Sequence, residues 1–218
     1  MNSYLDVLSE PPKALTPKEA HDIQEELSNH VIKKSTLTSR LTSVAGMDAA
    51  YRNDKIFSAA AAHHFETMEL MEITNLEREV VFPYIPGLLA FREAPSLIEA
   101  ARQLKTKVDV FIVDGHGYAH PRRFGLACHV GLALDAPVIG VAKNLLVGHV
   151  DDSWVFDDDE VIGRVVSPRR GRELYVSIGH KISLRDAVKV ITKCTLDSSP
   201  EPIRCAHLEA NRLRRRVA

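Results

Sequence analysis

Several features that mark particular protein classes are scarce in this sequence. It holds only three cysteines, which are scattered and lack the paired spacing of a zinc site or a disulfide framework: Cys128, Cys194 and Cys205. This scarcity excludes a small secreted scaffold held together by disulfides. It predicts a reducing compartment, which we take to be the cytoplasm, and structural roles for the thiols.

Long apolar runs and an excess of one charge are also absent. No stretch approaches the roughly 20 apolar residues that a membrane helix needs, and the N-terminus carries Asp6 and Glu10 with no apolar run behind it. We therefore expect a soluble, unprocessed chain without a membrane partner. The formal net charge is −1, so contact with nucleic acid requires a local arrangement of charge and not bulk attraction.

The length of the chain limits the number of domains. A chain of 218 residues, 45% of them hydrophobic, can bury one sizeable core but is slightly short for two full domains. We expect a single domain over residues 1–218 with terminal helices, and a monomer.

The first half of the chain predicts one helix and an antiparallel meander. Residues 16–19, Thr-Pro-Lys-Glu, form a capping box with proline at the first helical position. Apolar residues then recur at helical spacing, which predicts an amphipathic helix: Ala20, Ile23, Leu27 and Val31. From Ser43 to about Ile73, short apolar runs broken by the polar residues 52–54 predict two or three antiparallel strands.

The second half alternates between helical and strand patterns. A helix is predicted from Pro95 and Ser96, and it leads into an apolar strand over residues 108–113. A second such unit follows, with a helix at about 124–134 and a strand over 138–142. Strands that alternate with helices imply parallel pairing. A meander followed by helix, strand, helix and strand is the plan of a ribonuclease H-like fold, an α/β fold with a mixed central sheet flanked by helices.

The C-terminal segment predicts a strand over 173–178, a helix capped by Ser183 that runs to about Lys193, and a last helix near Pro202. The last helix ends in a basic tail, formed by Arg204, Arg212, Arg214, Arg215 and Arg216. Such a tail can contact phosphates, and it is equally typical of a solvated helix end.

Two carboxylates stand in apolar strands. Asp48 interrupts the apolar run 44–47, and Asp114 closes the run 108–113. A buried carboxylate is unfavourable unless it is paired or bound to a cation. If these strands are neighbours, both side chains reach one site, which Glu93 can join. Oxygen ligands of this kind favour Mg²⁺, or Mn²⁺, shared with substrate phosphates. The alternative is that Asp48 and Glu93 are a helix cap and a surface charge, and that Asp114 begins a turn.

The segment 82–87, Phe-Pro-Tyr-Ile-Pro-Gly, is a stiff loop because two prolines fix φ around an aromatic and a branched apolar residue. A rigid apolar tip of this kind can insert into a base stack and hold a duplex open. The alternative is a connection whose Tyr84 and Ile85 cover the core. Four glycines, Gly87, Gly115, Gly117 and Gly125, allow close backbone approach to a ligand, or they serve turns alone.

The loop after Asp114 combines histidines and arginines with glycines: His116, His120, Arg122 and Arg123. Loops at the carboxyl ends of parallel strands are where such folds bind ligands. Lys143 and Asn144 occupy the same end of the next strand, where a cation can steady a phosphate. Each of these residues alone is also typical of a protein surface, but together they indicate a phosphate-binding region.

Four blocks, taken in order, resemble one known family. They are residues 46–51 (GMDAAY), 84–93 (YIPGLLAFRE), 114–117 with 120–127 (DGHG and HPRRFGLA), and 140–143 (GVAK). Over residues 16–212 the sequence is similar, in register, to the endonuclease V family. The resemblance implies a ribonuclease H-like fold. It also implies recognition of hypoxanthine, the deaminated form of adenine, and hydrolysis of the second phosphodiester on its 3′ side.

The same resemblance implies roles for particular positions. Three residues fall on the family's acidic metal site: Asp48, Glu93 and Asp114. Four fall on its strand-separating wedge: Pro83, Tyr84, Ile85 and Pro86. The backbone of four more would line the base pocket: Gly87, Leu89, Gly115 and Leu126.

Three further residues match positions near the reacting strand or the metal. His120 and Lys143 correspond to positions close to the damaged strand, and His207 to a histidine near the metal. For His207 the alternative is a polar helix edge beside Ile203. No family role attaches to His116.

We therefore predict hydrolysis assisted by one or two divalent ions, which leaves a 5′ phosphate, a 3′ hydroxyl and the base still attached to its sugar. The partner is nucleic acid with a deaminated purine, either DNA or RNA. The alternatives are a general or structure-specific ribonuclease H-like nuclease, and a module that binds deaminated bases without cutting.

Overall fold

The computed structural model describes residues 7–10, 14–37 and 40–216, and Asp6 lies outside them. Within these residues, nine strands form one sheet in the order β3-β2-β1-β4-β5-β9-β8-β7-β6. The strands are β1 Ser43–Arg52, β2 Lys55–His64, β3 Leu70–Glu79, β4 Val110–Asp114, β5 Val138–Ala142, β6 His149–Asp151, β7 Trp154–Asp157, β8 Glu160–Val166 and β9 Leu174–His180. The strands β1, β4 and β5 are parallel, and the other pairs are antiparallel.

Helices cover both faces of the sheet. They are α1 Pro17–Ser28, α2 Leu89–Arg102, α3 Leu126–Leu134, α4 Leu184–Cys194 and α5 Glu201–Arg216. The helices α2 and α3 pack against one face of β1, β2 and β4. The helices α4 and α5 pack on the other face, where small alanines let α5 approach β1 and β2 closely. No helix among the described residues is both long and apolar enough to cross a bilayer.

Most predicted elements are confirmed. The capping box is formed, since the Thr16 side chain accepts from Glu19 N and the Glu19 carboxylate accepts from Thr16 N. The meander pairs through β1, β2 and β3 as expected. Ser183 caps α4 by accepting from Asp186 N. The opening helix ends at Ser28, so Val31 lies beyond it.

The predicted start of α2 at Pro95 is wrong, because the helix begins at Leu89 and contains Pro95. Proline is favoured in the first helical turn and disfavoured farther in, which made it a natural start signal. A continuous buried face outweighs the lost backbone hydrogen bond here, and it includes Ala90, Phe91, Ala94, Leu97 and Ile98.

Three strands were not predicted from the sequence. The strands β6, β7 and β8 are short, and two-residue turns separate them. Asp152 and Ser153 both have positive φ, which is the geometry of a tight hairpin turn that twists with its strands. The signal was the polar clusters around residues 152 and 158, between short apolar stretches.

The register between β1 and β4 determines where the predicted acids lie. Met47 pairs with Val113 in the parallel ladder, so Asp48 and Asp114 follow side by side at the carboxyl ends of the two strands. Side chains alternate between the faces of a strand. Both carboxylates therefore fall on the face that α5 covers.

Gly46 allows α5 to lie directly on β1. A Cβ at residue 46 would stand 2.0 Å from the carbonyl carbon of Pro202 and 2.3 Å from the backbone nitrogen of Ile203. No rotamer change relieves a clash with backbone. The glycine is thus required for the position of α5, the helix that carries His207.

We expect Gly46→Ala to displace α5 and to lower the free energy of unfolding by about 1–3 kcal/mol or more, as overpacking does. Urea unfolding followed by circular dichroism measures this. Gly115→Ala is the control, because its Cβ would meet the movable side chain of Leu126 at 3.0 Å. Equal stability of the two variants would show that α5 does not depend on close approach at residue 46.

Candidate functional site

The three predicted acids come together near the carboxyl ends of β1 and β4. Asp48 Oδ2 lies 2.6 Å from His207 Nδ1 on α5, and Asp48 Oδ1 accepts from the backbone N–H of Ala49 at 2.8 Å. Glu93, in the second turn of α2, accepts from the Tyr51 hydroxyl at 3.0 Å. Asp114 accepts a short hydrogen bond from Lys143 Nζ.

Burial and mutual repulsion make two of these carboxylates hard to ionise. Burial, together with the charges of Asp48 and Asp114, raises the pKa of Glu93 to about 8, although the hydrogen bond from Tyr51 opposes the shift. Burial, followed by the charge of Asp114, raises the pKa of Asp48, although His207 opposes this shift. Without a cation, Glu93 therefore holds a proton at neutral pH.

The donor set fits a hard divalent ion. Oxygen ligands come from three separate elements, and the like charges need a cation for all three to ionise. The ligand atoms of these three carboxylates do not all lie within 4.8 Å of one another. In the described part of the chain, one group of three metal-ligating side chains is that close together, and it lies elsewhere. Each carboxylate has its own partner in the protein, namely His207, Tyr51 or Lys143.

A cavity of about 140 Å³ lies beside the stiff loop. Seven of the predicted substrate-binding residues line it: Tyr84, Ile85, Pro86, Gly87, Leu89, His120 and Leu126. Most of its surface is apolar, and Leu126 begins α3 there without a side-chain cap. The first N–H groups of that helix are therefore free of intrahelical partners.

The carbonyl oxygen of Gly87 connects three side chains at the pocket. It accepts from Gln24 Nε2 at 3.1 Å, from His120 Nε2 at 3.0 Å and from Arg122 Nη2 at 3.0 Å. Gly87 has φ +78°, a left-handed conformation that favours glycine. Burial, with the nearby charge of Arg122, lowers the pKa of His120 to about 4, so this ring is neutral in the bond.

The two apolar residues at the loop tip have different surroundings. Tyr84 is 68% exposed, so the alternative in which it covers the core is wrong for this residue. Ile85 packs against the core cluster that contains Leu88 and Phe124. Pro83 is exposed beside Tyr84. The loop is thus anchored by Ile85 and presents Tyr84 to solvent.

The remaining predicted residues lie around these two regions. Gly115 donates its N–H to Val141 O, and it is not among the residues that line the cavity, although a Cβ at this position would meet Leu126, which does line it. Lys143 and His207 share a groove with Asp114, Arg172 and Arg204. His116, which had no assigned role, lines the cavity beside the stiff loop.

Comparison with known proteins places these features in a family. A model of the Endonuclease V family matches residues 25–208. The chain belongs to the Endonuclease V family. Endonuclease V of Dictyoglomus turgidum is 40% identical over 206 residues, which cover 90% of this chain and 90% of that protein. The predicted endonuclease activity class is thereby confirmed.

Solved structures of Endonuclease V share the fold. The Streptomyces avermitilis protein has a TM-score of 0.87 at 33% identity, and the match covers 93% of this chain and 95% of that one. Ciona intestinalis Endonuclease V, in complex with a 24mer DNA containing an inosine followed by a ribo-adenosine, has a TM-score of 0.84 at 26% identity. That match covers 92% and 98% of the two chains. The predicted ribonuclease H-like fold is confirmed.

Three residues of the site in this Endonuclease V family member were missed from the sequence. Gln24 is fully buried and donates to Gly87 O and Phe124 O, and Tyr51 donates to Glu93. Leu146 forms part of the pocket wall. Gln24 had a signal, since it is a polar residue on the apolar face of α1. Glu93, the partner of Tyr51, is 42 residues away along the chain, and no sequence spacing predicts this contact.

The raised pKa of Glu93 predicts a pH dependence of stability in metal-free buffer. The unfolded chain loses this proton near pH 4.5, whereas the folded protein keeps it to about pH 8. The free energy of unfolding should therefore fall as pH rises through this window, and Glu93→Gln should remove that part of the fall. Chemical denaturation across the window measures the difference between variant and wild type.

Glu99→Gln, on the same helix but paired with Arg78 at the surface, is the matched control and should follow the wild-type profile. An identical profile for Glu93→Gln and Glu99→Gln would show that Glu93 ionises normally.

Proposed function

We propose that this protein recognises hypoxanthine in a nucleic-acid strand and hydrolyses the second phosphodiester on its 3′ side. The observation that carries the proposal is the pairing of a small apolar pocket with a separate cluster of three carboxylates. Leu89 lines the pocket, and Glu93 follows one helical turn later on α2. The first two turns of α2 thus connect the proposed base-binding pocket to the carboxylates proposed to act on the phosphate.

The pocket has the features that an extruded purine requires. Enzymes that read a single base take it out of the stack and hold it between apolar walls, with hydrogen bonds to its edge. Hypoxanthine carries a carbonyl oxygen where adenine carries an amino group. At the start of α3 the N–H of Ala127 already donates to His116 O at 3.0 Å, so we assign the N–H of Leu126 as the donor to such an oxygen. The Gly87 carbonyl already accepts three hydrogen bonds, so we assign Gly87 to the shape of the pocket.

The loop tip is assigned to strand separation. An exposed aromatic ring on a loop anchored by Ile85 and stiffened by Pro83 and Pro86 can occupy the gap that an extruded base leaves. His120 uses one ring nitrogen on Gly87 O and the other on Arg122 N, so we assign it to holding this loop against the pocket.

Asp48, Glu93 and Asp114 would hold Mg²⁺, for which Mn²⁺ can substitute. When bound, such an ion activates water and stabilises the leaving 3′ oxygen. His207 orients Asp48 through the 2.6 Å contact. Lys143 provides a positive charge beside Asp114, where it can contact a phosphate oxygen. The products are a 5′ phosphate and a 3′ hydroxyl, and the base remains on its sugar.

Incubation of the purified protein with end-labelled strands, with and without one hypoxanthine, tests the proposal in Mg²⁺ and in chelator. Cleavage only of the lesion strand, at the second bond and only with Mg²⁺, is expected in DNA, RNA or both. Equal cleavage of both strands would indicate a general nuclease. Lesion binding without any cut would indicate a binding module.

Asp114→Asn and Asp48→Asn should each reduce cleavage to background, because asparagine keeps the shape of aspartate but loses the charge that holds the cation. Single-turnover assays with the lesion strand measure this, and circular dichroism checks the fold. Asp135→Asn is the control, since it is an exposed carboxylate at the end of α3 in a left-handed conformation that asparagine tolerates. Activity near wild type in either site variant contradicts the assignment.

Tyr84→Ala should reduce the preference for duplexes that contain the lesion and leave Mg²⁺ affinity unchanged. Stacking between a base and an aromatic ring contributes about 1–3 kcal/mol, or roughly a factor of 5 to 150 in binding. Filter binding to matched duplexes measures the preference. Tyr84→Phe keeps the ring and should behave like wild type. If both variants keep the full preference, Tyr84 does not act on the duplex.

A further inference from the structure

A second group of metal-ligating side chains lies between the end of β2 and the start of α5. One ligand atom from each of His63, Glu201 and Cys205 lies within 4.8 Å of the other two. The group is separate from the three carboxylates. None of its members has a part in the proposed cleavage.

His63 is placed as a metal ligand would be. Its side chain is 1% exposed, and Nδ1 lies 3.1 Å from the carbonyl oxygen of Ala61, to which it donates. Nε2 is buried and has no hydrogen-bond partner, which is costly for a polar atom in a protein interior. Metal-ligating histidines generally donate their other ring N–H to a carbonyl in this way. Burial also lowers the pKa of His63, so the ring is neutral and Nε2 carries a free lone pair.

Glu201 and Cys205 stand four residues apart on α5, so their side chains lie on one face of the helix. Cys205 Sγ lies 3.5 Å from Glu201 Oε1. Cys205 is partly exposed, which leaves room for water at the open side of the group. Arg204 donates hydrogen bonds to both carboxylate oxygens of Glu201, and its side chain is 48% exposed. The arginine can therefore give up its bond to one oxygen, which frees that oxygen for a metal, and keep its bond to the other.

We propose that His63, Glu201 and Cys205 bind a zinc ion, with a water as the fourth ligand. Imidazole, thiolate and carboxylate together favour Zn²⁺ over Mg²⁺, which prefers oxygen ligands alone. Binding releases the thiol proton of Cys205 to solvent, and the sulfur then bonds the metal. The ion joins β2 to the first turns of α5, the helix that brings His207 to Asp48.

The alternative is an ordinary ion pair between Glu201 and Arg204 with a thiol hydrogen bond beside it. Under this alternative the Nε2 atom of His63 stays buried without a partner, and added metal does not bind the sulfur of Cys205. The two explanations differ in one spectroscopic property. Only a metal bound through Cys205 gives a thiolate-to-metal absorption band.

Cobalt(II) titration of the full-length apo protein in excess Mg²⁺ tests the proposal, because Mg²⁺ would occupy the three carboxylates under the function proposed above. We expect one equivalent of Co²⁺ to bind with a thiolate-to-cobalt band in the near ultraviolet, and Zn²⁺ to displace it. Cys205→Ser should abolish the band. Cys128 and Cys194 are fully buried in the core and cannot supply it.

His63→Ala should weaken Co²⁺ binding at least tenfold, whereas His64→Ala, its neighbour on β2, should bind like wild type. Absence of the band in the wild-type protein overturns the proposal, as does a band that survives in Cys205→Ser. Equal affinity of the two histidine variants also overturns it. These measurements do not involve cleavage, so failure of the zinc proposal can be distinguished from failure of the proposed nuclease function.

Discussion

β1 and β4 pair in parallel, and their register brings Asp48 beside Asp114 at the carboxyl end of each strand. Two like charges in a largely buried place repel, and each is stabilised by a group from a different element. His207 of α5 contacts Asp48, and Lys143, which follows β5, contacts Asp114. The close approach of α5 at Gly46 and the parallel pairing of β5 with β4 therefore both serve this pair of carboxylates.

The helix α2 connects the apolar pocket to the cluster of three carboxylates. Its first residue, Leu89, lines the pocket, and Glu93 projects one turn later toward Asp48 and Asp114. A helix is stiff over one turn, so the spacing between pocket and carboxylates is set by backbone geometry and not by side-chain flexibility. The stiff loop enters this helix directly, and the Gly87 carbonyl ties it to α1 through Gln24. A shift of the loop would therefore be transmitted to Glu93 and the other two carboxylates.

The elements predicted best were those with a local cause. A capping box, strict helical spacing and long apolar strands depend on neighbours a few residues apart, so α1, α4 and the meander were placed well. The start of α2 and the strands β6 to β8 depended on tertiary packing. Burial of a helix face overrode the proline at position 95, and short strands gain order only by joining a sheet that already exists.

The sequence by itself indicated most residues of the candidate site, through carboxylates in apolar strands, a proline-stiffened loop and the resemblance to one family. It also determined the family, through four blocks in order. Only the tertiary structure decided which group contacts each acid. Tyr51 and His207 are distant from their partners in the chain, and such contacts follow from strand register and helix packing. The same holds for His63 and Cys205, whose ligand atoms lie within 4.8 Å of each other because α5 packs against β2.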